Sequence, residues 1–440
     1  MNTRTILLLF ALLGLTLQFS ACTETTESDL LVFTNATIWG GTGELHENAA
    51  LVTQYGKVID ILSMDDPSFP REAEQIDLGG RYVIPGLINA HGHVGVAKGL
   101  QTGGVAESVT NVTNQLKKYA RYGVTTVVSL GDEPIHAFLV RDNNDPAAVP
   151  MARPFLAGEV LNPESPEEAR ETVNRRAEQN PDWLKIRIDD GLGSRDKMPR
   201  EVYSAIFDQA ETQGIPVAAH IVELWDAISA VREGASLVGH SIRDQPVTEE
   251  LIQMMKENNV CITPTLTREL STYIYRDRPD FFDDPFFTKE VDPLVMEQLQ
   301  LPRVQEYYSS EEADYFKDAL PLATENMMIL HNSGVKVAMG TDSGPPARFQ
   351  GYFEHLEMEM MQSAGMTPEE VLLSATRIAA ECTFMDDELG TLEEGKWADF
   401  VVLNENPLAD VRNLRTIESV YIGGNRVDLR SPYPFAGDQE

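Results

Sequence analysis

The sequence predicts an α/β protein: a (β/α)8 TIM-type barrel flanked by a small β-sandwich built from both chain ends. Three observations point there. Eight short apolar segments alternate with helical stretches through the middle of the 440-residue chain, the count and order a barrel needs. Both ends carry instead short alternating segments parted by Gly, Asn and Asp, the texture of β-hairpins. Five of the eight barrel strands also bring a histidine, lysine or aspartate toward their carboxyl ends, where barrel enzymes assemble their sites.

In chain order, residues 1–21 read as an export signal. Arg4 precedes ILLLFALLGLTL (6–17), an apolar run too short to span a bilayer. QFSAC then leads to Cys22 and a polar TETTESD. The pattern resembles the lipobox of bacterial lipoproteins, in which the cysteine carries the lipid, although Phe19 stands where Leu is usual; ordinary secretory cleavage is the alternative. The expectation is an exported protein of a Gram-negative bacterium, in the periplasm or on the outer membrane, touching the membrane only through a lipid on Cys22.

Residues 22–84 hold LLVFTNATIW, AALVTQYGKVIDI and QIDLGGRYVIPG, the first part of the sandwich. Residues 386–440, with DFVVLNENP and SVYIGGNRV, supply the rest. The barrel is predicted over 85–385. Its strands are the run before His91, then TTVVSL (125–130), RPFLAG (153–158), LKIRID (184–189), PVAAHI (216–221), SLVGHS (236–241), VCITPTL (260–266) and VKVAMGTD (335–342). Stretches such as VTNQLKKYARYG and PREVYSAIFDQAETQG supply helices. Pro85-Gly86 marks a sharp change of direction at the entry. Residues 267–332, after the seventh strand, are rich in aromatics and acids and read as a mostly helical insertion. It is either a lid that touches substrate or a packing body.

Composition limits the partners. Against 35 Lys plus Arg stand 69 Asp plus Glu, a net charge of −34, so a nucleic-acid partner is not expected. Cys261 and Cys382 lie far apart in apolar surroundings and read as buried free thiols. A homo-oligomer is compatible with the sequence, which marks no interface.

The chemistry sits at the strand ends. His91 and His93, two apart on an extended backbone, point to one side. In LKIRID, Leu184, Ile186 and Ile188 face the helices while Lys185, Arg187 and Asp189 face the barrel axis. A lysine aimed inward is costly unless compensated. His220 ends the fifth strand on the face of Ala218, His240 the sixth on the face of Val238, and Asp342 the eighth on the face of Ala338. Singly, each has a plain structural explanation. Together, at one mouth of one barrel, they make a metal site. Of the remaining histidines, His46, His331 and His355 read as surface or structural, and His136 follows the second strand closely enough to approach the site.

PGLINAHGH, GVTTVVSLG, LKIRID, VAAH, GH, MGTDSG and the tail LGTLEEGKWADFVVLNENP resemble the amidohydrolase superfamily of metal-dependent hydrolases, in its imidazolonepropionase-like and Xaa-Pro dipeptidase-like branch. The resemblance covers nearly all of the chain after the signal. It implies that His91, His93 and Asp342 bind one divalent metal and His220 and His240 a second. Lys185, carboxylated by CO2, would bridge them. Zn2+ suits such a donor set, with Mn2+ or Fe2+ also suited. The implied reaction is hydrolysis of the amide bond of a dipeptide or N-acyl amino acid by a hydroxide shared between the metals, with Asp342 as proton shuttle. Two rival readings are a single-metal hydrolase of a cyclic amide, which needs no bridging Lys185, and a lipoprotein that keeps the barrel only for binding. As carboxylate-recognising residues, position suggests Arg153, Arg187 and Arg268, with Arg187 better read as a core salt bridge.

Overall fold

The computed structural model describes residues 29–433; the expected signal peptide and Cys22 lie outside them. Among the described residues no helix is long and apolar enough to cross a membrane.

Four strands open the chain: β1 (Leu30–Trp39), β2 (Leu45–Gln54), β3 (Lys57–Ser63) and β4 (Glu74–Pro85). Tyr55-Gly56 joins β2 to β3 with φ of 51° and 75°, the conformation of a two-residue hairpin turn. The barrel strands follow as β5 (Leu87–Gly92), β8 (Val124–Ser129), β9 (Arg153–Leu156), β10 (Leu184–Arg187), β11 (Val217–His220), β12 (Leu237–Gly239) and β13 (Cys261–Thr263). A small hairpin, β6 (Ala97–Lys98) with β7 (Gln101–Thr102), is inserted after β5. β14 (Phe400–Leu403), β15 (Ile417–Ile422) and β16 (Asn425–Arg426) close the chain.

The two ends meet as expected. They form one seven-stranded sheet in the order β16-β15-β14-β4-β1-β2-β3. That sheet folds over on itself. The Phe33 ring of β1 lies 4.8 Å from both Phe400 and Tyr421, although β4 separates β1 from β14 and two strands separate it from β15. Burying these rings makes the sandwich core, with Ile38, Leu51 and Val402 around them. Pro85 ends β4, and after Gly86 the chain enters the barrel at Leu87.

The barrel runs as two parallel arcs, β5-β8-β9 and β10-β11-β12-β13. Main-chain bonds join them. The amide of Asp182 donates to Leu156 O and that of Leu161 to Lys185 O, each at 2.8 Å. The eighth strand is reduced to bridges: Ala338 N donates to Ile262 O, and Ala90 N to Met339 O, both at 2.9 Å. Leu184, Ile186 and Ile188 pack outward against the helices. Small residues such as Ala90, Ala218 and Ala338 fill the axis.

Two expectations need correction. In β12 it is Leu237 that joins the axial cluster, whereas Val238 packs with the helices, so His240 does not share an inward face with Val238. The ladder stops at Gly239, and past its end strand alternation no longer sets a side chain's direction. Cys261 and Cys382 are not free thiols: they form a disulfide with a Cα separation of 5.7 Å. The helix Arg377–Cys382 crosses the amino ends of the barrel strands and brings Cys382 onto Cys261, a proximity that 121 residues of separation hid. The insertion at 267–332 packs its aromatic residues on the barrel flank. Its Tyr275, Phe282 and Phe287 are buried against Tyr122 and Phe353 on the barrel flank, and Tyr122 Oη donates to Phe286 O at 2.8 Å.

Candidate metal centre

At the carboxyl ends of the strands the six expected groups come together. Lys185 Nζ lies 3.3 Å from His91 Nε2. The His91 and His240 rings are 4.6 Å apart and those of His220 and His240 4.3 Å. Asp342 Oδ1 lies 2.7 Å from His93 Nε2. One ligand atom from each of His91, His93 and Asp342 falls within 4.8 Å of the others, a group able to hold a metal ion.

Each imidazole is oriented through its other nitrogen. His91 Nδ1 is 3.0 Å from Thr263 Oγ1, His93 Nδ1 is 2.8 Å from Gly131 O, and His240 Nδ1 is 2.6 Å from Thr265 Oγ1. That leaves each Nε2 to ligate, the arrangement that fixes tautomer and direction in metal sites. His220 turns Nε2 toward Asp189 Oδ1 at 3.3 Å, which leaves its Nδ1.

The backbone yields to these contacts. Thr265 is β-branched yet sits at φ 49°, and Asp342 at φ 55°. Such conformations cost about 1–3 kcal/mol each and persist where the surroundings enforce them. Close approach also requires glycine: a Cβ on Gly239 or Gly340 would come within 2.8 Å of His91.

The electrostatics suit metal binding. Burial holds His91, His220 and His240 well below the usual imidazole range, helped by the nearby Lys185, so all three are neutral ligands. Burial likewise pushes the Lys185 amine down to about 7. For His93, burial works downward, but the Asp342 hydrogen bond outweighs it and the pKa is raised. For Asp342, burial works upward, but Arg348 and His93 hold it well below the carboxylate range.

Several participants carried no sequence signal. Arg348 donates to Asp342 Oδ2. Glu354, wholly buried, accepts from Asn89 Nδ2 at 2.6 Å and from the hydroxyls of Thr341 and Ser343 at 2.7 and 2.6 Å. Thr341 and Ser343 flank Asp342, and Asn89 Oδ1 accepts from His91 N at 3.0 Å, so one carboxylate braces both sides of the site. Glu133, raised to about 7 by burial, accepts from the amides of Gly131 and Gly158 at 2.8 and 2.6 Å. A threonine or glutamate at a strand or helix end is too common to single these out.

A cleft of about 720 Å3 opens onto the cluster. His136 lines it, as position suggested, and so do Arg187 and Arg268. Arg187 is not a core salt bridge: it makes no ion pair among the described residues. Arg153 lies elsewhere, paired with Asp399 at 3.0 Å and stacked on Trp397 at the sandwich junction. Arg268 is the insertion's one contribution to the lining. His331 pairs with Glu370, and His355 with Tyr122 O, both away from the cluster.

The chain belongs to the amidohydrolase family, whose model matches residues 82–427, the whole barrel and the closing strands. It is therefore a hydrolase of carbon–nitrogen bonds, in a superfamily that uses divalent metal ions, and its His-His-Asp cluster fits one. Over most of its length it is similar to the ochratoxinase of Aspergillus niger, 24% identical over 456 aligned residues, 91% of this chain and 87% of that protein. It is similar also to the imidazolonepropionase of Pseudomonas putida strain GB-1, 25% identical over 426, with 86% and 92% covered. A crystal structure of a Xaa-Pro dipeptidase with methionine bound in its active site shares the fold. Its TM-score is 0.73 at 21% identity, covering 90% of this chain and 99% of that one.

Proposed function

We propose that the protein is a binuclear metal-dependent amidohydrolase that cleaves the amide bond of a dipeptide or N-acyl amino acid. One observation carries this reading: a buried lysine, its amine lowered to about 7, points into a cluster of four imidazoles and one aspartate. A protonated amine there would repel any bound cation. A neutral amine adds CO2, releasing a proton, and becomes an anionic carbamate with two oxygens to share. His91, His93 and Asp342 would hold one cation, and His220 and His240 the other, with Lys185 between. Two divalent ions, Zn2+ or alternatively Mn2+ or Fe2+, would polarise the scissile carbonyl and acidify the attacking water.

The chain's own residues move the proton. Asp342 takes it from the attacking water on a carboxylate oxygen and delivers it to the departing nitrogen. Arg348 and His93 keep the carboxylate aimed. A single-metal hydrolase of cyclic amides would leave Lys185 without a task.

Purified protein loaded with Zn2+ or Mn2+ should release amino acids from a panel of dipeptides and N-acyl amino acids. Cleavage of cyclic amides alone, or of nothing in the panel, would contradict the reading. We further propose that the protein is exported and lipid-anchored at Cys22. The Cys261–Cys382 disulfide supports export, because such bonds persist in oxidising compartments. Mass spectrometry of the mature amino terminus should find a lipidated Cys22; an unmodified or uncleaved terminus would refute the anchor.

A further inference from the structure

Four guanidiniums line the cleft, together with the carboxylates of Glu107, Asp132, Glu133, Glu159 and Asp342. Arg176 is paired with Glu159 at 3.0 Å; the other three are matched only in part. Arg187, after β10, has no ion-pair partner among the described residues. Arg268, after β13, lies 3.0 Å from Glu269, but that wholly buried carboxylate is shared with Arg243 at 3.1 Å. Arg348 is bonded to Asp342, which His93 also holds and which a metal would claim. Two carboxylates thus serve three paired guanidiniums and an imidazole, with Arg187 in addition. Cations gathered in a half-dry cleft repel one another, and an anion placed among them gains strong charge-assisted hydrogen bonds. The Arg268 and Arg348 side chains are only 15% and 19% exposed, so water screens them poorly. Beyond the acidic Asp132 and Glu133 that follow β8, Pro134, Ile135 and Phe138 add apolar surface to the same cleft, with Ile135 58% exposed.

We propose that Arg187, Arg268 and Arg348 form an anion subsite for a carboxylate on the leaving-amine side of the substrate, with the apolar side chains of Pro134, Ile135 and Phe138 taking the acyl side. The side is set by Arg348, which touches Asp342, the group that protonates the departing nitrogen. This rests on the amide-hydrolysis reading and narrows it. The substrate is an N-acyl amino acid or dipeptide with a free carboxylate and an apolar acyl group; the corresponding amino acid amide is a poor one.

Binding can be tested apart from turnover. Isothermal calorimetry on the metal-loaded enzyme would use the uncleavable ketomethylene isostere of an N-benzoyl amino acid and its carboxamide. The free acid should bind tighter by on the order of 100-fold, and in Arg187→Met that preference should fall to within a few fold. Arg187 is the variant of choice because removing it orphans no carboxylate; Arg268→Met, which leaves Glu269 to Arg243, should reduce the preference as well. Equal binding of acid and amide, absence of binding by either, or a preference that survives Arg187→Met would overturn the subsite. Turnover of the parent amide is read separately. If the acid binds as expected but its amide is never cleaved, the hydrolysis reading fails and the subsite stands.

Discussion

At the carboxyl ends of the barrel strands four histidines, a lysine, an aspartate and several arginines crowd into one cleft, whereas at the amino ends alanines, leucines and a disulfide close the same ring. The mouth holds polar groups where burial penalises their charge, and non-glycine residues at positive φ, among them Asp132, Thr265 and Asp342. The floor buries Ile88, Leu237 and Met385 around Cys261 and Cys382. Both are built on the same strands, so a few residues along each strand separate groups that carry chemistry from groups that hold the ring shut. Stability supplied by the floor and the flanks lets the mouth keep an arrangement that would not be stable alone.

If that division is right, substitutions at the two ends will have different signatures. The largest effect on rate is expected for Asp342→Asn, which keeps the left-handed backbone that Asn also tolerates but cannot carry the proton. Steady-state kinetics should show kcat lowered on the order of 10^3-fold with the melting temperature within a few degrees of wild type. A large fall in melting temperature would show that Asp342 also holds the fold. Glu354→Ala tests the brace behind the mouth. It strands the hydrogen-bond donors of Asn89, Thr341 and Ser343 and should cost about 4 kcal/mol by urea unfolding, with weaker metal retention. At the floor, Cys261→Ala with Cys382→Ala should cost about 3 kcal/mol while kcat/KM stays unchanged. A floor variant that altered kcat/KM would erase the contrast between the ends.

Much of this contrast was legible in the sequence, because strand alternation and strand ends are local properties. The alternation in LKIRID placed Lys185 inward and Leu184 outward, and the pairs at His91 and His93 and at strand ends five and eight came from the same rule. It failed for His240, which lies past the last ladder residue. The disulfide and the arginine environments were not legible, since they depend on segments far apart in the chain: Arg153 belongs to the sandwich junction, Arg187 to open cleft and Arg348 to Asp342. The aromatic insertion looked equally suited to substrate or packing because burial, not composition, separates the two.

The central claim is that Lys185 joins the imidazole cluster as an anionic bridge between two metals. Metal analysis of purified wild type against Lys185→Ala tests it most directly. About two ions per chain in the wild type, a clear loss in the variant with turnover abolished, and partial recovery on adding a short carboxylic acid are expected. A Lys185→Ala protein that keeps its metal and its full activity would contradict it.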